Sequence, residues 1–216
     1  MKKIILNTII VFSLLLHMGC AEKRPLTRTP VKDKSPLTIA PRWENAGKPT
    51  QWTQHVNAEL KRIGSPLLKS VPADIALFCP NYPNLELQQK QSFWVYLLSA
   101  MTEKESGHNP SVQYVESFRD RHGNRIVSRG LLQLSIESAN GYKCGFNNPQ
   151  ELHDPLRNLS CGIVILSRWV EKDNRIAGKI NGKWKGGARY WSVLRDSNQN
   201  AYPDIIQWTN NIEFCK

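Results

Sequence analysis

The chain has 216 residues and a formal charge of +11, long enough for one domain whose core needs no metal or disulfide to hold it. So basic a balance favours a polyanionic partner, but no recognition-helix, zinc-finger or RNA-binding signature accompanies it, so nucleic acid is not the expected one. With scattered histidines and no Cys-x-x-Cys, His-Glu-x-x-His, Gly-x-Ser-x-Gly or Gly-rich phosphate loop, neither a metal nor a cofactor is expected, and the candidate chemistry falls to carboxylates.

The chain opens MKKIILNTIIVFSLLLHMGC: two lysines, an apolar run from Ile4 to Met18, then Gly19-Cys20. These are the n-region and h-region of an export signal over residues 1–19, too short and wrongly flanked for a membrane span. The Gly-Cys ending resembles a bacterial lipoprotein signal, in which Cys20 would be lipidated and would anchor the protein to a membrane. His17 stands where an aliphatic residue is usual, so ordinary cleavage after Ala21 is the competing reading. Ala21 also lacks the acidic character expected of inner-membrane retention, which favours the outer membrane. Without Lys2 and Lys3 the mature charge is +9, suited to an anionic cell envelope.

Residues 20–42, rich in Pro, Thr and Lys with neither helical nor strand periodicity, read as a flexible basic tether. The folded domain is expected over 43–216. In it Trp52, Val56, Leu60 and Ile63 mark an amphipathic helix ending at Gly64 and Pro66. A Pro-containing connection follows. Next, QQKQSFWVYLLSAMTEKES is apolar almost all round, the pattern of a central buried helix. Val112 and Tyr114 then alternate, Asp120 to Asn124 supply a turn, and Arg125 to Val127 resume, which predicts a β-hairpin. Helices are expected from Ser135, over DPLRNLSCGIVILSRWVEKDN, over GGARYWSVLR and over YPDIIQWTNNIEFC. The fold class is mainly α, with one small hairpin directly after the central helix.

Four cysteines besides Cys20 allow two disulfides in three connectivities. The expected pairs are Cys144 with Cys161, closing a short loop between helices, and Cys79 with Cys215, tying the chain end back to the region before the central helix. Unpaired buried thiols are the alternative.

Glu103 and Glu105 lie near the end of the central helix, about 200° apart around its axis, so at most one faces a given cleft. A buried carboxyl at a helix C-terminus is pushed toward its neutral form by desolvation and by the dipole, as a general acid requires. Glu105 follows Met101 and Leu97 along the apolar face, whereas Glu103 adjoins Lys104. On pattern alone, two ordinary surface glutamates remain an open reading.

Glu105-Ser106, a hairpin, Ser128-Arg129-Gly130-Leu131-Leu132-Gln133-Leu134, and Asp154-Pro155-Leu156-Arg157-Asn158 with Gly162 after it resemble the soluble lytic transglycosylase domain of glycoside hydrolase family 23, related to goose-type lysozyme. Leu132 replaces the family's usual Met, and Tyr190 is followed by Trp191 where the family has Asn. The resemblance implies a lysozyme-like fold with the hairpin after the catalytic helix, Glu105 as the single general acid/base, and Ser106, Gln133 and Tyr190 as substrate-binding or positioning residues. It implies cleavage of the β-1,4 bond between N-acetylmuramic acid and N-acetylglucosamine in peptidoglycan glycan strands, without cofactor, with the sugar's own 6-hydroxyl closing a 1,6-anhydro ring. A monomer is expected. A hydrolytic lysozyme would need a second carboxylate, for which Glu116 and Asp120 are candidates, and would act on plain or modified peptidoglycan. An inactive peptidoglycan-binding lipoprotein is the third reading. Trp184, Trp191 and Tyr142 are candidates for stacking on sugar faces.

Overall fold

The computed structural model describes residues 39–216; the signal segment, Cys20 and most of the tether lie outside the described residues. The described residues begin slightly before residue 43, the expected start of the domain. Pro41 is buried, and Arg42 opens α1 (Arg42–Asn45), with its guanidinium on Glu103.

The central helix is α5 (Leu87–Ser106). A capping box starts it, in which the Glu86 N–H donates to the Gln89 side chain at 3.0 Å. Gly107 ends it in the left-handed region at φ 60°, a conformation that glycine adopts without steric cost. Every residue from Phe93 to Thr102 is buried, and the apolar character runs all round because α1, α2 (Gln51–Arg62), α3 (Ser65–Lys69) and α8 (Tyr202–Asn210) all pack against it. The short α4 (Ile75–Phe78) packs on α8. The helix expected up to Gly64 ends at Arg62, and a second one starts at once, with Pro66 in the first turn of α3, where its missing N–H costs nothing.

After α5 come β1 (Gln113–Arg119) and β2 (Arg125–Arg129), antiparallel, with Tyr114 opposite Ser128 and an irregularity between Val115 and Arg119. Then follow α6 (Ile136–Gly141) and α7 (Pro155–Asp173). Asp154 caps α7, accepting from Leu156 N at 2.9 Å and Arg157 N at 3.1 Å, and Pro155 fills its first turn.

The Asp-Pro-x-x-Asn spacing has a packing reason. One turn into α7, the fully buried Asn158 accepts from Leu132 N at 2.9 Å and donates to the carbonyls of Arg129 and Leu152. It therefore clamps the segment that joins the hairpin to Gln133. A further turn on, a Cβ at Gly162 would sit 2.1 Å from Leu132 Cδ1, so with any larger residue there the Leu132 side chain would have to turn aside from α7.

Two expectations differ from the structure. GGARYWSVLR forms no α-helix but two short 3₁₀ turns, Gly186–Arg189 and Ser192–Leu194. Gly186 N–H donates to Asp173 and Gly187 N–H to the Ile176 carbonyl, while Asp74 holds the Ile176 and Ala177 N–H groups. These fixed bonds outweigh a helix preference that two glycines already weaken. A second small hairpin, β3 (Lys179–Ile180) and β4 (Lys183–Trp184), turns through Asn181-Gly182, both at positive φ. That dipeptide is the standard signal for a two-residue hairpin turn, so the element was readable from the sequence. Disulfides join Cys79 to Cys215 and Cys144 to Cys161, the expected pairing. Among the described residues no helix is long and apolar enough to cross a membrane.

Candidate active site

The last turn of α5, the hairpin, the Asn158-clamped segment and the 3₁₀ region converge on one cleft of about 340 Å³. Glu105 lines it from α5, Glu116 and Phe118 from β1, Gln133 from the clamped segment, and Tyr190 and Arg195 from the 3₁₀ region. Glu105 is partly accessible as a residue, yet its Oε1 is fully buried and without a hydrogen-bond partner. Desolvation, reinforced by the negative charge of Glu116 and opposed by the positive charge of Arg195, pushes its carboxyl up to about 8. An acid with that pKa carries its proton at neutral pH and has no protein acceptor to give it to. It is poised to protonate an atom that enters the cleft.

Glu103 points the other way. Arg42 donates to it from Nε at 2.5 Å and Nη2 at 2.9 Å, and His108 Nε2 lies 3.4 Å away. The guanidinium holds its carboxyl below the usual range. This glutamate is ionised and structurally committed.

The other expected residues divide. Gln133 lines the cleft with its backbone in the left-handed region, φ 47°, a conformation that costs a non-glycine residue about 1 kcal/mol or more and recurs at functional sites. Its Nε2 is spent on the carbonyls of Val112 at 3.1 Å and Gly130 at 2.8 Å, while its Oε1 is buried without a partner. It can thus offer the cleft an acceptor only. Tyr190 also lines the cleft; burial pushes its hydroxyl up to about 12, and the charge of Glu105 adds to that shift. Ser106, expected in the cleft, does not line it. Its hydroxyl is turned to the Thr102 carbonyl at 3.0 Å and the Leu131 carbonyl at 2.9 Å, bracing the helix end against the clamped segment.

Of the second-carboxylate candidates, Glu116 faces the cleft and accepts from Ser128 Oγ at 2.6 Å. Asp120 does not. It sits in the hairpin turn, accepting from the backbone of His122 and Asn124. Trp191 is only 2% exposed and donates its indole N–H to the Leu132 carbonyl at 2.9 Å, so it shapes the cleft wall and is no stacking platform. Tyr142 accepts from Trp169 Nε1 at 2.6 Å, and Trp184 lies under Lys179 and Arg195; neither lines the cleft.

Sequence reasoning overlooked Phe118 and Arg195. Strand parity could have found the first, because Tyr114, Glu116 and Phe118 share the face that carries Ser128. Arg195 follows an irregular segment whose path depends on distant backbone bonds, and no local pattern predicts it. Among the described residues no group of three or more His, Cys, Asp or Glu is arranged to hold a metal ion.

Residues 83–188 match the transglycosylase SLT domain. Among solved structures, a glutamate-to-glutamine mutant of Bd0314 DslA is 49% identical with a TM-score of 0.81, covering 83% of this chain and 99% of its own. A wild-type form of DslA is 50% identical with a TM-score of 0.80 over the same shares. No curated protein matches the chain.

Proposed function

Starting from the fact that the chain belongs to the transglycosylase SLT-domain family, lysozyme-like enzymes that cleave glycosidic bonds in peptidoglycan, we propose that Glu105 is its general acid/base and that the bond broken is the β-1,4 link between N-acetylmuramic acid and N-acetylglucosamine. The observation that carries this is the buried, unpartnered Oε1 of Glu105 in the cleft. Glu105 gives its proton to the glycosidic oxygen as the C1–O bond breaks, the leaving sugar departs with a hydroxyl, and C1 becomes oxocarbenium-like. The resulting Glu105 carboxylate then takes the proton of the muramic acid 6-hydroxyl as its oxygen closes on C1, which forms a 1,6-anhydro end and restores the acid. Tyr190 positions Glu105, and the Gln133 Oε1 accepts from an N–H or O–H of the bound sugar.

A specific observation favours a second reading, hydrolysis. Glu116 shares the cleft, is oriented by Ser128, and is close enough for its charge to raise the Glu105 pKa. A second carboxylate is what a water-using glycosidase employs as base. In DslA the glutamates substituted in two mutants lie eleven positions apart, the interval between Glu105 and Glu116. On this reading Glu116 takes a proton from water as its oxygen attacks C1.

Mass spectrometry of soluble fragments released from native and de-N-acetylated peptidoglycan decides between them. Anhydro ends that vanish in Glu105→Gln establish the transglycosylase; reducing ends that vanish in Glu105→Gln and Glu116→Gln establish the hydrolase. Fragments that persist in Glu105→Gln overturn both.

We further propose that the protein is exported as a monomer and tethered to the outer membrane by a lipid on Cys20, with residues 20–42 as the spacer. The two disulfides support an oxidising compartment. Loss of membrane association in Cys20→Ala, with the folded domain released in soluble form, is the expected result; an unchanged distribution rejects the anchor.

A further inference from the structure

Two arginines line the cleft, and their charges are used differently. Arg189 is bidentate to Asp173, from Nε at 2.5 Å and Nη2 at 2.9 Å, and so is Asp173 committed, its carboxyl held down to about 2 chiefly by that pair. Arg195 donates its Nε–H to the Ala188 carbonyl at 2.9 Å, and its guanidinium lies 5.4 Å from the centre of the Trp184 ring. The hydrogen bond orients the group, and the indole lies beside it. Among the described residues no carboxylate comes within 4.0 Å of it, although Glu105 and Glu116 line the same cleft, and neither Nη donates to a protein acceptor.

Holding a partly buried guanidinium without a counter-ion is costly, and folded chains usually pair such a group. An arginine oriented through its Nε keeps its Nη donors available for recognition of a carboxylate. If the cleft binds peptidoglycan, as the proposed function has it, such an anion is at hand on the muramic acid residue. Its lactyl carboxyl is free when the stem peptide has been removed, and the stem peptide brings carboxylates of its own when present.

We propose that Arg195 is a specificity-determining residue of this cleft, receiving through its Nη groups a carboxylate carried on the muramic acid residue of the glycan strand. The cleft thereby distinguishes a muramic acid from the glucosamine that precedes it, and sets which sugar lies on which side of Glu105.

The test is equilibrium binding by the full chain carrying Glu105→Gln, so that strands are bound and not cut. The probes are soluble strands stripped of stem peptide, strands with stem peptide, and both after their carboxylates have been converted to neutral amides. Adding Arg195→Gln should weaken binding to the carboxylate-bearing strands at least tenfold and leave the amidated ones unaffected. Arg195→Lys should restore part of the loss, since it returns the charge and not the fork. Whichever strand shows the effect identifies the source, lactyl group or stem peptide.

Equal weakening on charged and amidated strands would make Arg195 a structural residue and overturn the assignment, as would undiminished binding or none to any strand. In the chain with Glu105 intact, Arg195→Gln should raise KM and, because the arginine's charge opposes the rise of the Glu105 pKa, move the alkaline limit of kcat upward; a moved limit with unchanged KM would mean that the arginine serves Glu105 alone. Cleavage is read separately: strand discrimination by Arg195 without fragment release from the intact chain would refute the proposed function and leave this assignment standing.

Discussion

Glu103 and Glu105 leave the same last turn of α5 and meet opposite conditions. Glu103 receives two hydrogen bonds from Arg42 and is held ionised. Glu105 has a buried oxygen with no partner and keeps its proton to about pH 8. The negative end of the helix dipole acts on both, so it cannot be what separates them. What separates them is the surroundings: on one face a guanidinium that also stacks 3.4 Å from the Trp208 ring centre, on the other a desolvated cleft with a second carboxylate. An acid is made here by withholding a partner from one glutamate while supplying one to its neighbour.

The contrast is tested most severely by activity. Glu105→Gln should lower fragment release from peptidoglycan by about 10³-fold or more, whereas Glu103→Gln should stay within about threefold of wild type. A comparable loss in both, measured on folded proteins, would erase the distinction.

Stability against pH should show the same asymmetry. Glu105 has a folded pKa near 8 against an unfolded value of 4.5, so from pH 4.5 upward the unfolded chain releases a proton that the folded one retains. Wild-type stability should therefore fall as pH rises between those values, and Glu105→Gln should remove that slope, gaining up to about 3 kcal/mol at pH 7 and nothing below pH 4.5. Denaturant unfolding across this range measures it. Activity that depends on the proton should decline above pH 8.

Removing the neighbouring charge sharpens the account of how Glu105 is tuned. Glu116→Gln should move the alkaline limit of kcat/KM downward by up to about one pH unit, and if water is the acceptor it should also cost about 10²-fold in rate. An unmoved limit would leave desolvation as the sole cause.

The smallest effect belongs to the paired glutamate. Glu103→Gln should destabilise by about 1 kcal/mol, since the pair is partly solvated. Because the folded pKa of Glu103 is depressed, this contribution is present above its unfolded value of 4.5 and lost as pH falls through the folded one. The loss measured by denaturant unfolding should thus disappear in acid, the reverse of the Glu105 slope.

Much of this was legible because the relevant forces are local. Phe93 to Met101 announce a buried helix by their unbroken apolarity, and Glu105 falls on that helix where only one glutamate can face a given cleft. Asp154 and Pro155 announce a helix start. Asn158 and Gly162 matter for a different reason, contact with Leu132 across 26 and 30 positions of chain, and only the family resemblance drew attention to them. The Ser106 hydroxyl was misread because a motif names a residue without saying where its donor goes; in the fold two backbone carbonyls claim it. The course of residues 186–195 was not legible at all, since it is fixed by Asp74, Asp173 and Ile176, which come together only after folding.

The bond from Cys79 to the penultimate residue Cys215 makes a covalent ring of everything between them, cleft included, with the Cys144–Cys161 loop nested inside. A protease that cuts the exposed turn at residues 120–124 opens that ring at one point and releases no fragment. The nicked protein would keep its mass apart from one added water, migrate as two pieces only after reduction, and hold both halves of its cleft on a single molecule.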